Sequence, residues 1–201
     1  IDVSDSLFLT FDVNCEYAGQ FLGWFSVNIE DEWIEDNVNM GYFHFSLPAT
    51  SIIINELMIA PQDLGEWIEL YNISDQIISL DSLIMIDTKD TTVLSNVKLE
   101  PDEYLILCQK ENWMQFLSGD GISACKIPWL TLNNASDHLK LFDNDFTLLD
   151  EAFYDFDAMG IDESKEISLE RIKPYYSGRD IWNWANCVDR EGHTAGNKNS
   201  M

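Results

Sequence analysis

The segment Asp155-Phe-Asp-Ala-Met-Gly-Ile-Asp-Glu-Ser-Lys-Glu166 holds the most suggestive spacing of ligand-type residues in the chain. Asp155, Asp157, Glu163 and Glu166 fall at positions one, three, nine and twelve of a calcium-loop pattern, and Gly160 falls at six, where such loops turn sharply. These four carboxylates are the candidate metal ligands, and Ca²⁺ is the one cofactor that the spacing would admit. Against that reading, Met159 stands where an oxygen ligand belongs, and the flanks read as strands rather than helices. A solvated connection between two strands is the competing account. Asp143-Asn-Asp145 resembles a second cation site, yet Asp and Asn there suit a hairpin turn, because both tolerate the backbone conformations that turns demand.

Catalytic chemistry finds little support. His44, His138 and His193 lie in different segments and none stands in an H-E-x-x-H or H-x-H context. No G-x-S-x-G elbow or phosphate-cradling glycine loop occurs, so the chain is expected not to be an enzyme and no catalytic residue is nominated. Cys15, Cys108, Cys125 and Cys187 form no C-x-x-C pair. Cys108 ends an apolar strand and reads as a buried thiol; a bridge to Cys125 would need an oxidising compartment and close Cβ atoms. Arg171 is one of few cations and is expected to bridge Glu56 or Glu69 across neighbouring strands.

The charge excludes several partners. The chain has 36 Asp and Glu against 11 Lys and Arg, a formal net charge of −25. Nucleic-acid binding depends on Lys and Arg displacing condensed counterions, and no basic cluster is present. The same acidity disfavours anionic membrane surfaces, and the apolar runs 51–54 and 105–108 are far too short to span a bilayer. With 46% hydrophobic and 12% aromatic residues, the acidity is not that of a disordered tail. It belongs to the surface of a folded chain.

The elements that would carry these residues are strands. Leu7, Leu9, Phe11 and Val13 alternate with more polar residues, as do Phe25, Val27 and Ile29, then Phe43, Phe45 and Leu47. Three strands are too few to close a sandwich, so residues 1–50 read as the C-terminal part of a preceding β-domain or as extra strands. The acidic stretch 30–37 reads as a hairpin loop, and residues 48–51 mark a boundary. The opening without Met or a signal peptide reads as a fragment; unpaired edges in a severed half-domain would invite a strand-exchanged dimer.

From residue 51 to 201 further strands are expected at 52–58, 66–71, 77–80, 83–86, 104–108, 138–142, 147–154 and 167–172, with a helical turn or two at 111–117. Turn residues separate them, a rhythm that predicts an all-β sandwich or barrel. In 66–71, Ile68 and Leu70 share one face, expected to be core; Trp67, Glu69 and Tyr71 share the other, expected to lie partly in water. Trp182 and Trp184 are expected to pin an irregular C-terminal segment, and His193 to lie in a flexible tail.

Five stretches in order then carry a likeness: Ile54-Asn-Glu-Leu57, Gly65-Glu-Trp-Ile-Glu-Leu-Tyr-Asn72, Leu99-Glu-Pro-Asp-Glu-Tyr-Leu105, Ser168-Leu-Glu-Arg171 and Gly196-Asn-Lys-Asn199. From Ile52 onward the chain resembles the lamin tail domain, an immunoglobulin-like sandwich found in nuclear filament proteins and in many exported bacterial proteins. Strands, rather than a heptad-patterned rod, precede the domain, which favours the exported bacterial branch. The resemblance implies a location outside the cell or in its envelope. It also implies a non-catalytic spacer, anchor or presenting module, with neighbouring domains or another surface protein as partners. Two alternatives stand beside it. One is a Ca²⁺-assisted carbohydrate- or ligand-binding domain stacking sugars on Trp33, Trp113 or Trp129; the other is an accessory domain of an extracellular hydrolase.

Overall fold

The computed structural model describes residues 19–26, 38–45, 51–59, 61, 65–94, 97–109, 122–128, 131–161 and 166–201. Alternating apolar residues first produce an antiparallel pair, β1 (Gly19–Ser26) and β2 (Val38–Phe45), in register from Gly19 opposite Phe45 to Ser26 opposite Val38. Strand β1 begins before the alternation of Phe25, Val27 and Ile29 predicts, and of these three only Phe25 is among the described residues. The strand expected around Leu7–Val13 and the acidic stretch 30–37 lie outside the described residues, as do the helical turns expected at 111–117.

From Ile52 the chain builds a two-sheet sandwich. Its strands are β3 (Ile52–Met58), β4 (Trp67–Asn72), β5 (Ile78–Ser79), β6 (Ile84–Ile86), β7 (Thr91–Val93), β8 (Lys98–Leu99), β9 (Tyr104–Cys108) and β10 (Ala124–Lys126). Then come β11 (Ser136–Phe142), β12 (Leu148–Asp155), the one-turn helix α1 (Phe156–Met159), β13 (Leu169–Arg171), a 3-10 turn (Ile181–Asn183) and β14 (Trp184–Asn186). One sheet has the order β10-β9-β4-β3-β13-β14, the other β12-β11-β6-β7, and β5 pairs with β8 beside them. This is an all-β, immunoglobulin-like sandwich.

The period-two pattern sets the core. Ile54, Leu57, Ile68, Leu70, Leu105 and Leu107 of the larger sheet meet Met85, Leu139, Leu141, Leu149 and Tyr154 of the smaller in one buried cluster. Ile68 and Leu70 are fully buried, as their alternation predicts. Strands β7, β8, β10 and β14 are not among those the sequence predicts: each has two or three residues, too few to display a period, whereas the equally short β5, β6 and β13 lie within longer apolar-rich runs.

The opposite face of the larger sheet departs from expectation. Trp67 and Glu69 are fully buried there, and only Tyr71 of the three is partly exposed. A second apolar cluster of Met58, Trp67, Ile106, Cys108 and Ala195 explains why: the C-terminal segment folds back over this face. His193 is accordingly packed rather than lodged in a flexible tail, its ring edge-on to Trp67 at 5.8 Å between centroids. Burial lowers its basicity.

Candidate functional site

A bulge begins the site. The register between β3 and β4 shifts between Ile54 and Glu56, so Ile54 faces Leu70 in the core while Asn55 and Glu56 both reach the outer face. Glu56 then stands opposite Glu69 on β4 and opposite Glu170 on β13. Three glutamates on three adjacent strands form a row, Glu69–Glu56–Glu170, and each is 0% exposed. Unpaired charge in such a place is costly, so each carboxyl must be solvated by the protein.

The donors come chiefly from the returning C-terminal segment. Thr194 N–H donates to Glu56 at 2.9 Å and Gly196 N–H to Glu69 at 2.6 Å. Ser200 donates to Glu170 through its N–H at 2.9 Å and its hydroxyl at 2.8 Å. Asn55 Nδ2 donates to Glu69 and to Asn199 Oδ1, both at 2.7 Å, while the Ser168 hydroxyl donates to Glu56. Gly196 has φ +75°, and a Cβ there would lie 2.8 Å from the Ile122 side chain, so this close approach requires glycine. Burial pushes Glu56 up to about 7, assisted by the charge of Glu170 and opposed by its hydrogen bonds. Glu69 is raised well above the ordinary carboxylate range, by burial first and the charge of Glu56 second.

Arg171 does not bridge this row. As the residue after Glu170 in a strand, it points to the opposite face, into the sandwich, where it is 2% exposed. There it donates to Asp150 on β12 at 2.6 and 3.2 Å, to Ile54 O at 3.1 Å and to Tyr176 O. The expected ion pair is therefore replaced by one that ties the two sheets together. Asp150 also accepts from Ile54 N–H at 2.8 Å, yet burial outweighs these partners and raises its carboxyl.

Beyond Arg171 the chain presents aromatic rings to solvent on a tightly held loop. Asn183, 4% exposed, donates to the carbonyls of Lys173, Tyr176 and Ser177 and accepts from Lys173 N–H. Trp184 is buried and donates to Gly178 O at 2.7 Å, while Gly178 sits so close to β12 that a Cβ would meet Glu151 O at 2.0 Å. The loop thus fixed holds Tyr175 at 75%, Tyr176 at 59% and Trp182 at 71% exposure. Of the two tryptophans expected to pin this segment, Trp184 does so and Trp182 faces water.

The remaining candidates fall elsewhere. Asp155 caps α1, accepting from Ala158 N–H at 3.0 Å, and Gly160 ends the helix with φ +67°. Asp157 lies in the first turn of that helix and is exposed; Glu166 is exposed with φ +67°, and Glu163 lies outside the described residues. Asp143 accepts from Asp145 and Thr147 N–H groups at 2.9 and 2.8 Å, the hydrogen bonding of a turn. His138 pairs with Glu151 at 2.7 Å.

Cys108 and Cys125 are free thiols. In the parallel pairing of β10 with β9, Cys125 is opposite Leu107 on the core side and Cys108 points to the outer cluster, so their side chains diverge. Burial raises the Cys108 thiol to about 11. Trp33, Trp113 and Trp129, named as sugar-stacking candidates, lie outside the described residues.

The glutamate row was not foreseen as a unit, although each member stands in one of the five stretches: Glu56 in 54–57, Glu69 in 65–72 and Glu170 in 168–171. Only Glu69, between Ile68 and Leu70, is flanked on both sides by aliphatics; Glu56 lies between Asn55 and Leu57 and Glu170 between Leu169 and Arg171, so no shared local pattern marks the three. Strand order alone brings the three together.

Searches of curated proteins and of solved structures returned no match. A scan of protein families matches residues 46–155 to the Lamin Tail Domain, a family of non-enzymatic, immunoglobulin-like domains. That span covers both sheets through β12, and the two-sheet topology agrees with it. The chain belongs to the Lamin Tail Domain family.

Proposed function

We propose that the chain is a non-catalytic interaction module of a larger secreted or cell-surface protein, of the exported bacterial kind. In this reading it spaces or presents neighbouring domains and contacts them, or another surface protein, through the loop 173–182. The observation that carries the reading is the exposure of Tyr175, Tyr176 and Trp182 on a backbone pinned by Asn183 and Trp184. Large rings held rigidly in water lose little entropy on binding, and Tyr, Trp and Arg dominate the energetic centres of protein interfaces. Arg179, exposed in the same loop, completes that composition.

The test places a photo-crosslinking phenylalanine analogue at position 182 of the full-length polypeptide and maps the adducts by mass spectrometry. Adducts on a neighbouring domain or on a second surface protein, reduced by Tyr175→Ala, are expected. Adducts confined to the loop itself would sink the reading. A Ca²⁺-assisted carbohydrate-binding role is the second reading, favoured by the same exposed rings. Calorimetric Ca²⁺ titration with a glycan-array screen separates the two, since only the second predicts a signal in either.

A further inference from the structure

The hydroxyl of Thr194 lies between two carboxyls, 3.2 Å from Glu56 Oε2 and 2.7 Å from Glu170 Oε1. A hydroxyl has one proton to donate. It can serve one of these oxygens, and the other, if ionised, would face a lone pair in a buried place. Each contact is a hydrogen bond only if one carboxyl carries a proton and donates it to Thr194 Oγ1. The Ser168 hydroxyl is under no such conflict: it can donate to Glu56 alone, because Gly192 O already accepts from Ser168 N–H at 2.8 Å. The row has no exposure to water through which to relieve the conflict.

We infer that a proton shared between Glu56 and Glu170 through the Thr194 hydroxyl latches the C-terminal segment 187–200 onto the outer face of the larger sheet, so that acid seats this cover and alkali loosens it. Loosening would uncover Trp67, Met58, Ile106 and Cys108, the apolar patch that Ala195 now closes. The titratable groups surrounding Glu56 are Glu69 on β4, with Tyr104 of β9 beyond it, and Glu170 on β13. From the cover come Cys187, whose Sγ clusters with Glu56 and Glu170, together with Asp189, Glu191 and His193; the cover also carries Lys198. Arg171 is turned to the other face. With the seated cover holding carboxyls above their solvated value of 4.5, opening is favoured as pH rises from about 4.5 towards 7 and, through Glu69, beyond. Each proton released on opening multiplies the open population by up to about tenfold per pH unit.

The experiment is amide hydrogen exchange on the 201-residue chain at pH 5, 6, 7 and 8, corrected for intrinsic rates, in wild type and Glu56→Gln. Protection at Thr194, Gly196 and Ser200 is expected to fall at least about tenfold across the series in wild type and to lie below that of Leu70 and Leu107 in the core at every pH, as an opening short of global unfolding requires. In Glu56→Gln the amide N–H permanently replaces the shared proton, and the fall should shrink to less than half on a logarithmic scale. If Glu56→Gln fails to fold, Glu170→Gln serves, since it supplies a fixed donor to the same hydroxyl. Wild-type protection that does not change with pH overturns the proposal. So does a fall of equal size in wild type and variant, or protection of the cover amides that coincides with that of the core amides at every pH.

Discussion

At the residue scale, the two faces of β13 treat charge in opposite ways. Glu170 lies under a cover of neutral donors, whereas the next residue, Arg171, meets Asp150 between the sheets. Removing one partner of a buried pair leaves an uncompensated charge, so Arg171→Ala should cost about 3–5 kcal/mol in urea unfolding. The double variant Arg171→Met with Asp150→Asn should recover a large part of that loss, because it removes both charges. If the single and double variants are equally unstable, the cost lies in lost packing and not in the stranded carboxyl. Cys108, 1% exposed and with its thiol raised to about 11, should resist iodoacetamide at pH 7.5 until the chain unfolds.

At the scale of elements, β4 is decisive because both its faces are covered, one by the smaller sheet and one by the C-terminal segment. Ile68→Ala or Leu70→Ala should cost about 2–5 kcal/mol, measured by denaturant titration. Gly178→Ala should be destabilising by about 1–3 kcal/mol, since its new carbon would collide with the Glu151 carbonyl and push the aromatic loop off β12. Exchange at Phe153, whose N–H donates to Gly178 O at 2.9 Å, would report that displacement directly. An unchanged Phe153 amide in Gly178→Ala would mean that the loop absorbs the methyl without moving.

At the scale of the whole molecule, the net charge of −25 makes the folded state repel itself. Raising NaCl from about 0.05 to about 0.5 M shortens the Debye length severalfold and should raise the midpoint of thermal unfolding. The buried row adds a pH term of unusual sign. Because Glu56 and Glu69 are raised in the folded chain, they favour folding most fully below about pH 4.5, and that contribution is lost as pH climbs through about 7. Stability between pH 5 and 8 should therefore decline in wild type, and by less in Glu56→Gln. A profile that rises over this range would contradict the raised carboxyls.

The amino-acid order by itself determined what is local. Alternation of aliphatic and polar residues assigns Ile68 and Leu70 to the core, and Asp143-Asn-Asp145 turns the chain, because strand period and turn chemistry act over a few neighbouring residues. Which glutamates meet, which carboxylate receives Arg171, and whether the second face of β4 is wet were decided only in three dimensions. Glu56 and Thr194 are 138 positions apart, and Ile54 and Asp150 are 96 apart. Contacts at that separation depend on strand order and on where the C-terminal segment returns, and neither leaves a periodic trace in the sequence.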